Sequence, residues 1–251
     1  MKQNTSLTAA NFIKDKTALI TGASGGIGRS IALMLARSGG HCVLIARGEA
    51  KLNDVATEIR KYNVKAFVYK ADASDQQAVQ TVYNDLKQKG ITIDILVNNV
   101  GVGKYGNLEH HSTADYDWMM NTNMRSTFLW THFFLPAMMK REDGDLVFIG
   151  SVAGLKGLPG EAVYCASKSA QVAFAHSIDY ECRKKNVRVH VIAPGGVRTD
   201  FAMGTGREPG MPVLDKMLAA EDIAKTVHFV LNQRKQLRYF VLGMRPLSEP
   251  L

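Results

Sequence analysis

The 251-residue chain predicts a doubly wound α/β domain: one open, parallel, seven-stranded sheet with helices on both faces. Three observations carry that prediction. Short runs rich in Val and Ile alternate with longer segments of helical periodicity, the order of repeated β-α units. At 46% hydrophobic and 22% charged residues the composition is that of a globular chain with one sizeable core, which excludes disorder and fibre. The length suits a single domain, because one core stops growing at about 250–300 residues, and no linker divides the chain.

In order, the strands are expected at 17–21, 41–46, 65–71, 93–99, 144–151, 188–194 and 239–244. Between them 27–38, 49–62, 75–89, 113–140, 162–185 and 221–233 carry apolar residues at helical spacing. Ser74-Asp75 and Ala220-Glu221-Asp222 provide the short polar or acidic residues that open helices. The aromatic residues within 127–134 are expected to face the core. Gly, Pro and Met accumulate over 195–217 with neither periodicity, so 195–219 is read as a lid loop within one domain spanning 1–251. In such sheets ligands bind in the crevice beyond the carboxyl ends of the strands, so the chemistry is sought there.

Directly after the first strand comes Thr21-Gly22-Ala23-Ser24-Gly25-Gly26-Ile27-Gly28, and then a helix. A strand, a glycine turn and a helix let the backbone approach a pyrophosphate and aim the helix's N-terminal amides at it. Any Cβ would obstruct that approach. The strict G-x-G-x-x-G string is absent, and a tight turn without a ligand uses the same residues. The second strand adds the discriminating feature. An acidic residue at its end would accept bonds from the adenosine ribose and select NAD, whereas an arginine accommodates the 2′-phosphate of NADP. Here Ala46 ends the strand and Arg47 follows, which favours NADP(H); Glu49 reads as first-turn helix decoration.

Ser151 stands at the end of the fifth strand, and Tyr164 and Lys168 open a later helix at i, i+4 spacing, on one face. A free phenol titrates near pH 10, too high for proton transfer at neutrality, and a neighbouring ammonium is expected to bring it down. Serine then holds the substrate oxygen while tyrosine moves the proton. Taken alone, Tyr-x-x-x-Lys is common on helix surfaces.

The turn 21–28, Asp72 after the third strand, Asn98-Asn99-Val100-Gly101 after the fourth, Asn123, Ser151, Tyr164, Lys168 and Pro194-Gly195 resemble the short-chain dehydrogenase/reductase family, in order and spacing, over about residues 14 to 245. The resemblance is to its group of about 250 residues, with a Rossmann-type fold. It implies that Gly22, Ser24, Gly26, Ile27 and Gly28 cradle the cofactor's pyrophosphate and ribose, that Arg47 meets the 2′-phosphate, and that Asp72 and Ala73 flank adenine. Asn99 and Gly101 would line the cofactor channel, with Asn99 near a ribose. Tyr164 would be the general acid/base, and Lys168 would bind the nicotinamide ribose and lower the tyrosine pKa. Ser151 would position the carbonyl and Asn123 would hold a water that relays protons. Pro194, Gly195, Val197 and Thr199 would contact the nicotinamide end. Val100 departs from the family's usual alanine and adds bulk behind the cofactor turn.

The remaining features narrow the partners. The net charge of +8 points to an anionic partner, but the basic runs Lys140-Arg141, Arg183-Lys184-Lys185 and Arg234-Lys235 are dispersed, so nucleic acid is not expected. No apolar run is long enough to span a bilayer, and Met1 to Asp15 lacks the apolar stretch of a signal peptide, so a cytoplasmic protein with no membrane partner is expected. Cys42, Cys165 and Cys182 form no disulfide framework, and Cys165 reads as a small buried thiol. The seven histidines, His110-His111 included, show no metal-ligand spacing, although that pair lies near the crevice. Ala166, Ala170, Ala173 and Ala175 permit close helix packing, and related enzymes pair this helix between subunits; a homodimer or homotetramer is expected. Phe201, Met203, Met211 and Met217 in the lid suggest an apolar portion of substrate. The expected activity is NADPH-dependent reduction of a ketone or aldehyde, reversible as an alcohol dehydrogenase. A 3-oxoacyl-acyl-carrier-protein reductase is the alternative enzyme, and a non-catalytic NADP(H)-binding regulator the alternative of another class.

Overall fold

Strand β1 (Thr17–Thr21) is buried along its whole length, as a central strand covered on both faces must be. In the computed structural model, which describes residues 11–249, it pairs in parallel with β2 (His41–Ala46) on one side and β4 (Ile95–Asn98) on the other. With β3 (Ala66–Lys70), β5 (Gly144–Ile149), β6 (Val187–Pro194) and β7 (Val241–Met244) they form one parallel sheet in the order β3-β2-β1-β4-β5-β6-β7. The order reverses between β1 and β4, so the turns that follow these two strands diverge and open a crevice at their carboxyl ends.

Side chains along each strand alternate between two cores. Ala18 and Ile20 of β1 join Ile31, Leu35, Leu52, Ile59, Ile223 and Val227 beneath α1 (Gly26–Arg37), α2 (Glu49–Arg60) and α7 (Ala220–Leu231). Leu19 turns to the other face, with Val79, Leu86, Trp130, Phe134 and Ile178 beneath α3 (Gln76–Gln88), α5 (Ser126–Arg141) and α6 (Ala162–Cys182). The period of two in a strand and the apolar stripe of a helix are therefore both satisfied, as a doubly wound sheet requires.

Most expected elements occur with ends shifted by one or two residues, and three differences bear on the site. The stretch 113–140 is not one regular helix. Ser112 opens α4 (Thr113–Met120) with a capping box in which its hydroxyl accepts from the Asp115 amide at 3.1 Å while Asp115 Oδ2 accepts from the Ser112 amide at 2.8 Å. A π-turn at Asn121–Arg125 then separates α4 from α5. Helix α6 ends at Cys182 rather than 185, because the chain tightens into a 3-10 turn at Arg183–Lys185 and reverses at Asn186, φ 53°. Strand β5 stops at Ile149, leaving Ser151 free to cap a 3-10 turn at Val152–Gly154.

Trp130 and Phe134 are buried as expected, but Phe128 is 45% exposed and Phe133 is only partly covered. The segment 195–219 is more ordered than its composition suggests. It holds a 3-10 turn at Pro212–Lys216, and its ends are stitched together where Leu218 N donates to Gly196 O and Arg198 N to Leu218 O, both at 2.9 Å. Among the described residues no helix is long and apolar enough to cross a membrane. The expectation about residues 1–10 falls outside the described residues.

Candidate active site

The glycine turn forms because its geometry excludes side chains. Gly22 and Gly26 sit at φ +67° and +50°, in the left-handed region. A Cβ on Gly28 would overlap the Gly22 carbonyl oxygen and come within 2.6 Å of Asn99 Nδ2. Helix α1 starts from Gly25 with no side-chain cap and no acidic residue in its first turn, so its leading amides are left for an anion. Asn99 holds the turn from β4: its Nδ2 donates to Thr21 O at 2.8 Å and its amide to Thr21 Oγ1 at 2.9 Å. The amide group expected near a ribose is thus largely spent on the turn. Val100 crowds it from behind, with Cγ2 3.2 Å from the Cβ position of Gly22.

Arg47 and Asp72 follow the neighbouring strands β2 and β3 and are exposed at the same carboxyl edge, with Ser24 half-buried in the glycine turn. Partial burial works against the Asp72 carboxylate, but bonds from Ser74 and the charge of Arg47 hold its pKa below the usual value. Ala73 is buried, its carbonyl accepting from Trp130 Nε1 at 3.2 Å. These residues lie outside the cavity at the carboxyl ends of β4, β5 and β6, on the side of the crevice where the glycine turn faces β2 and β3. There Asp72 lines a separate cavity with Ser74 and Arg125.

The cavity at the ends of β4, β5 and β6, about 570 Å³, gathers Ser151, Tyr164 and Lys168 in one wall with Asn99, Gly101 and Ile27. Pro194, Gly195, Val197 and Thr199 line it from the end of β6. Tyr164 and Lys168 project together from α6, with Nζ 5.9 Å from the phenol ring centroid. Lys168 is 3% exposed and donates to Ile149 O at 3.1 Å. Gly101 lets it in, since a Cβ there would stand 3.2 Å from Nζ. Ser151 Oγ accepts from the Ala153 amide at 3.1 Å, which fixes the hydroxyl over the cavity.

The electrostatics differ from the sequence expectation. Burial pushes the Tyr164 phenol above its ordinary 10, the nearby Tyr105 adds to the rise, and a hydrogen bond with Ser151 offsets part of it. Burial also pushes Lys168 down to about 7. Both groups favour their neutral forms because the same dry pocket penalises either charge. In the protein itself the ammonium therefore does not bring the phenol down, and Tyr164 stands protonated at neutral pH.

Asn123, fully buried in the π-turn, has its side chain fully engaged: Oδ1 accepts from Val102 N at 2.8 Å, and Nδ2 donates to Val102 O at 2.9 Å and Ser167 Oγ at 2.8 Å. Its backbone carbonyl accepts from Gln171 Nε2 at 2.9 Å. It clamps the loop after β4 to α6 and does not line the cavity. His110 and His111 are likewise absent from the wall, and His111 Nε2 pairs with Gly106 O at 3.2 Å. The Cys165 thiol is buried, and burial raises its pKa.

A family model described as short chain dehydrogenase matches residues 16–210. The chain belongs to that family. This short-chain dehydrogenase is accordingly an NAD(P)-dependent oxidoreductase. It is 36% identical to sepiapterin reductase of Chlorobaculum tepidum over 92% of the chain and 96% of that protein. It is 31% identical to a 3-oxoacyl-acyl-carrier-protein reductase of Staphylococcus aureus over 87% and 92% of the two chains. Its fold matches that of an alcohol dehydrogenase from Thermococcus sibiricus complexed with 5-hydroxy-NADP, with a TM-score of 0.87 and 28% identity over 95% and 99% of the two chains.

The dehydrogenase's cavity also contains residues that no sequence spacing announces. Tyr105 arrives on the loop after β4, Glu161 at the start of α6, Arg207 in the lid, and Arg245 and Glu249 beyond β7. Glu249 Oε1 accepts from the Gly196 amide at 2.7 Å. None belongs to a recognisable motif; only the fold brings them to the cavity.

Proposed function

We propose that this short-chain dehydrogenase is an NADPH-dependent carbonyl reductase, converting a ketone or aldehyde, NADPH and a proton into the alcohol and NADP+. The observation that carries the reading is the meeting of Ser151, Tyr164 and Lys168 in one cavity beside the glycine turn. Bound NADPH supplies the hydride. Ser151 holds the substrate oxygen and Tyr164 gives it the proton. The raised phenol pKa keeps that proton in place at neutral pH, the state needed for reduction. Lys168, at the depth of the cavity, positions the ribose and recharges Tyr164. Gly22, Gly26 and Gly28 with the uncapped start of α1 suit a pyrophosphate, and the turn's positive φ values and missing Cβ atoms fit that group closely. Arg47 takes the 2′-phosphate. The lid closes the site with Thr199, Phe201, Met211 and Met217.

The test is to follow nicotinamide absorbance with NADPH and NADH across ketones and aldehydes. Turnover with NADPH preferred by at least about tenfold in kcat/KM is expected, and an Arg47→Ala variant should lose most of that preference. A clear NADH preference would reject the role of Arg47, and no turnover of any ketone or aldehyde with either cofactor would reject the carbonyl reductase reading.

A second reading, reduction of 3-oxoacyl groups on an acidic carrier protein, is favoured by the net charge of +8. Its mark would be carrier-dependent activity that falls steeply with salt. We also propose a homodimer or homotetramer paired through α5 and α6, whose Phe128 and Tyr180 are 45% and 68% exposed. Light scattering at micromolar concentration should give two or four times the chain mass, and a monomer mass would overturn this.

A further inference from the structure

We propose that Arg207 selects the substrate, binding a carboxylate on the molecule whose carbonyl meets Tyr164, so that the preferred substrates are short oxo acids and the corresponding hydroxy acids. This rests on the carbonyl reductase reading and adds the substrate class.

Arg207 lies in the lid yet is only 9% exposed, and it lines the cavity that holds Ser151 and Tyr164. Its guanidinium carries a permanent charge and five donors in a planar fork. Of these, Nη1 donates to Val197 O at 3.0 Å, and a further bond reaches the Tyr105 phenol. One face of the group lies 5.6 Å from the Phe201 ring centroid. Among the described residues no carboxylate stands within ion-pair distance of it. Glu161 and Glu249 share the cavity wall, and Glu161 feels the charge of Arg207 without forming an ion pair with it. A buried cation with donors to spare, set at the edge of a reaction cavity, is stabilised most by an anion that enters that cavity.

The chemistry of the wall chooses among anions. The planar fork matches a carboxylate, and the two glutamates already present make a singly charged group far easier to admit than a dianionic phosphate. Spacing sets the length. Phe201 neighbours both functional groups, with its ring centroid 5.6 Å from that of Tyr164 and 5.6 Å from Arg207 Cζ. The Tyr164 ring and the Arg207 guanidinium are therefore no more than about twice that distance apart, and because each reaches toward the substrate by a hydrogen bond the carbon chain left between carbonyl and carboxylate is short, with its apolar surface against Phe201.

The lid is held in place independently of any substrate. Tyr105 N donates to Thr205 O at 2.8 Å, Thr205 Oγ1 donates to Gly103 O at 2.7 Å, and Gly206 at φ +137° packs where a Cβ would strike the Tyr105 ring. Arg207 is thus presented by a preorganised turn, which lowers the entropic cost of using it to bind.

The experiment compares 4-oxopentanoate, 5-oxohexanoate and 6-oxoheptanoate with their methyl esters, following NADPH oxidation by the wild-type enzyme and by the Arg207→Met and Arg207→Lys variants. In the wild type at least one acid should exceed its ester by tenfold or more in kcat/KM, roughly the worth of one charge-assisted contact. In Arg207→Met the acid-to-ester ratio should collapse toward one, through a rise in KM for the acid larger than the fall in kcat, and Arg207→Lys should restore part of it. A merely structural arginine would change both substrates alike. Equal use of acids and esters by the wild type overturns the proposal while leaving carbonyl reduction standing, and this comparison needs no variant to fold. Retention of the acid preference in Arg207→Met overturns it as well. Absence of turnover with every carbonyl tested would overturn the reductase reading beneath it.

Discussion

Tyr164→Phe is expected to lower kcat by about 10²–10⁴-fold, the range that a positioned proton donor contributes, with NADPH affinity changed only a few-fold. The substitution removes one oxygen from a ring that is 6% exposed and wedged between Tyr105 and Phe201, whose centroids lie 6.1 and 5.6 Å away. The packing is kept, so the loss falls on chemistry rather than on folding. The phenol is held in its protonated form by burial, and no other group is placed to replace it: the Ser151 hydroxyl is engaged in holding the substrate oxygen, and Lys168, whose Nζ donates to Ile149 O and stands 5.9 Å from the phenol ring centroid, acts through Tyr164 rather than on that oxygen. Steady-state rates and fluorescence titration of NADPH check both halves. Retention of more than about a tenth of wild-type kcat would remove Tyr164 from the proton-donor role.

How far the sequence carries this picture depends on the range of the interactions. The strands are legible because residues such as those of β1 and β6 are buried on both faces, which leaves a continuous run of Ala, Leu and Ile in β1 and one of Val, Ile and Ala in β6 broken only by Arg188 and His190. Tyr164 and Lys168 are legible because their relation is local, one helical turn. The π-turn at Asn121–Arg125 is not, since the groups that satisfy Asn123 come from Val102 and Gln171, far away in the chain. The same is true of Arg207 and Glu249, which reach the cavity only through the docking of the lid and of the chain beyond β7. The i, i+4 spacing also misleads about electrostatics. It places an ammonium near a phenol but says nothing of the burial of both, and burial outweighs their mutual influence.

That burial makes Lys168 costly to the fold, and Lys168→Met is expected to inactivate the enzyme while stabilising it at low pH. In the unfolded chain the amine keeps its proton up to about pH 10.5, and in the folded protein it gives it up near 7. Below pH 7 both states are charged and the folded one bears the full penalty of a desolvated ammonium. Between pH 7 and 10.5 the unfolded state binds the extra proton, so wild-type stability from this group rises with pH. Methionine removes the charge and fills similar volume, at the loss of one hydrogen bond to Ile149 O, worth about 1 kcal/mol. The desolvation penalty is larger, on the order of a few kcal/mol, so the variant should melt several degrees above the wild type at pH 6, at roughly 2–4 °C per kcal/mol for a chain of this size. The difference should shrink as the pH is raised toward 10, because the wild-type amine then enters the fold neutral. Melting curves of both proteins from pH 6 to 10 decide the matter: a variant less stable at pH 6, or a difference that does not change with pH, would show that the ammonium is not buried at a cost. The stability gained and the activity lost would then have one origin, a charge kept in the dry cavity for the reaction and against the fold.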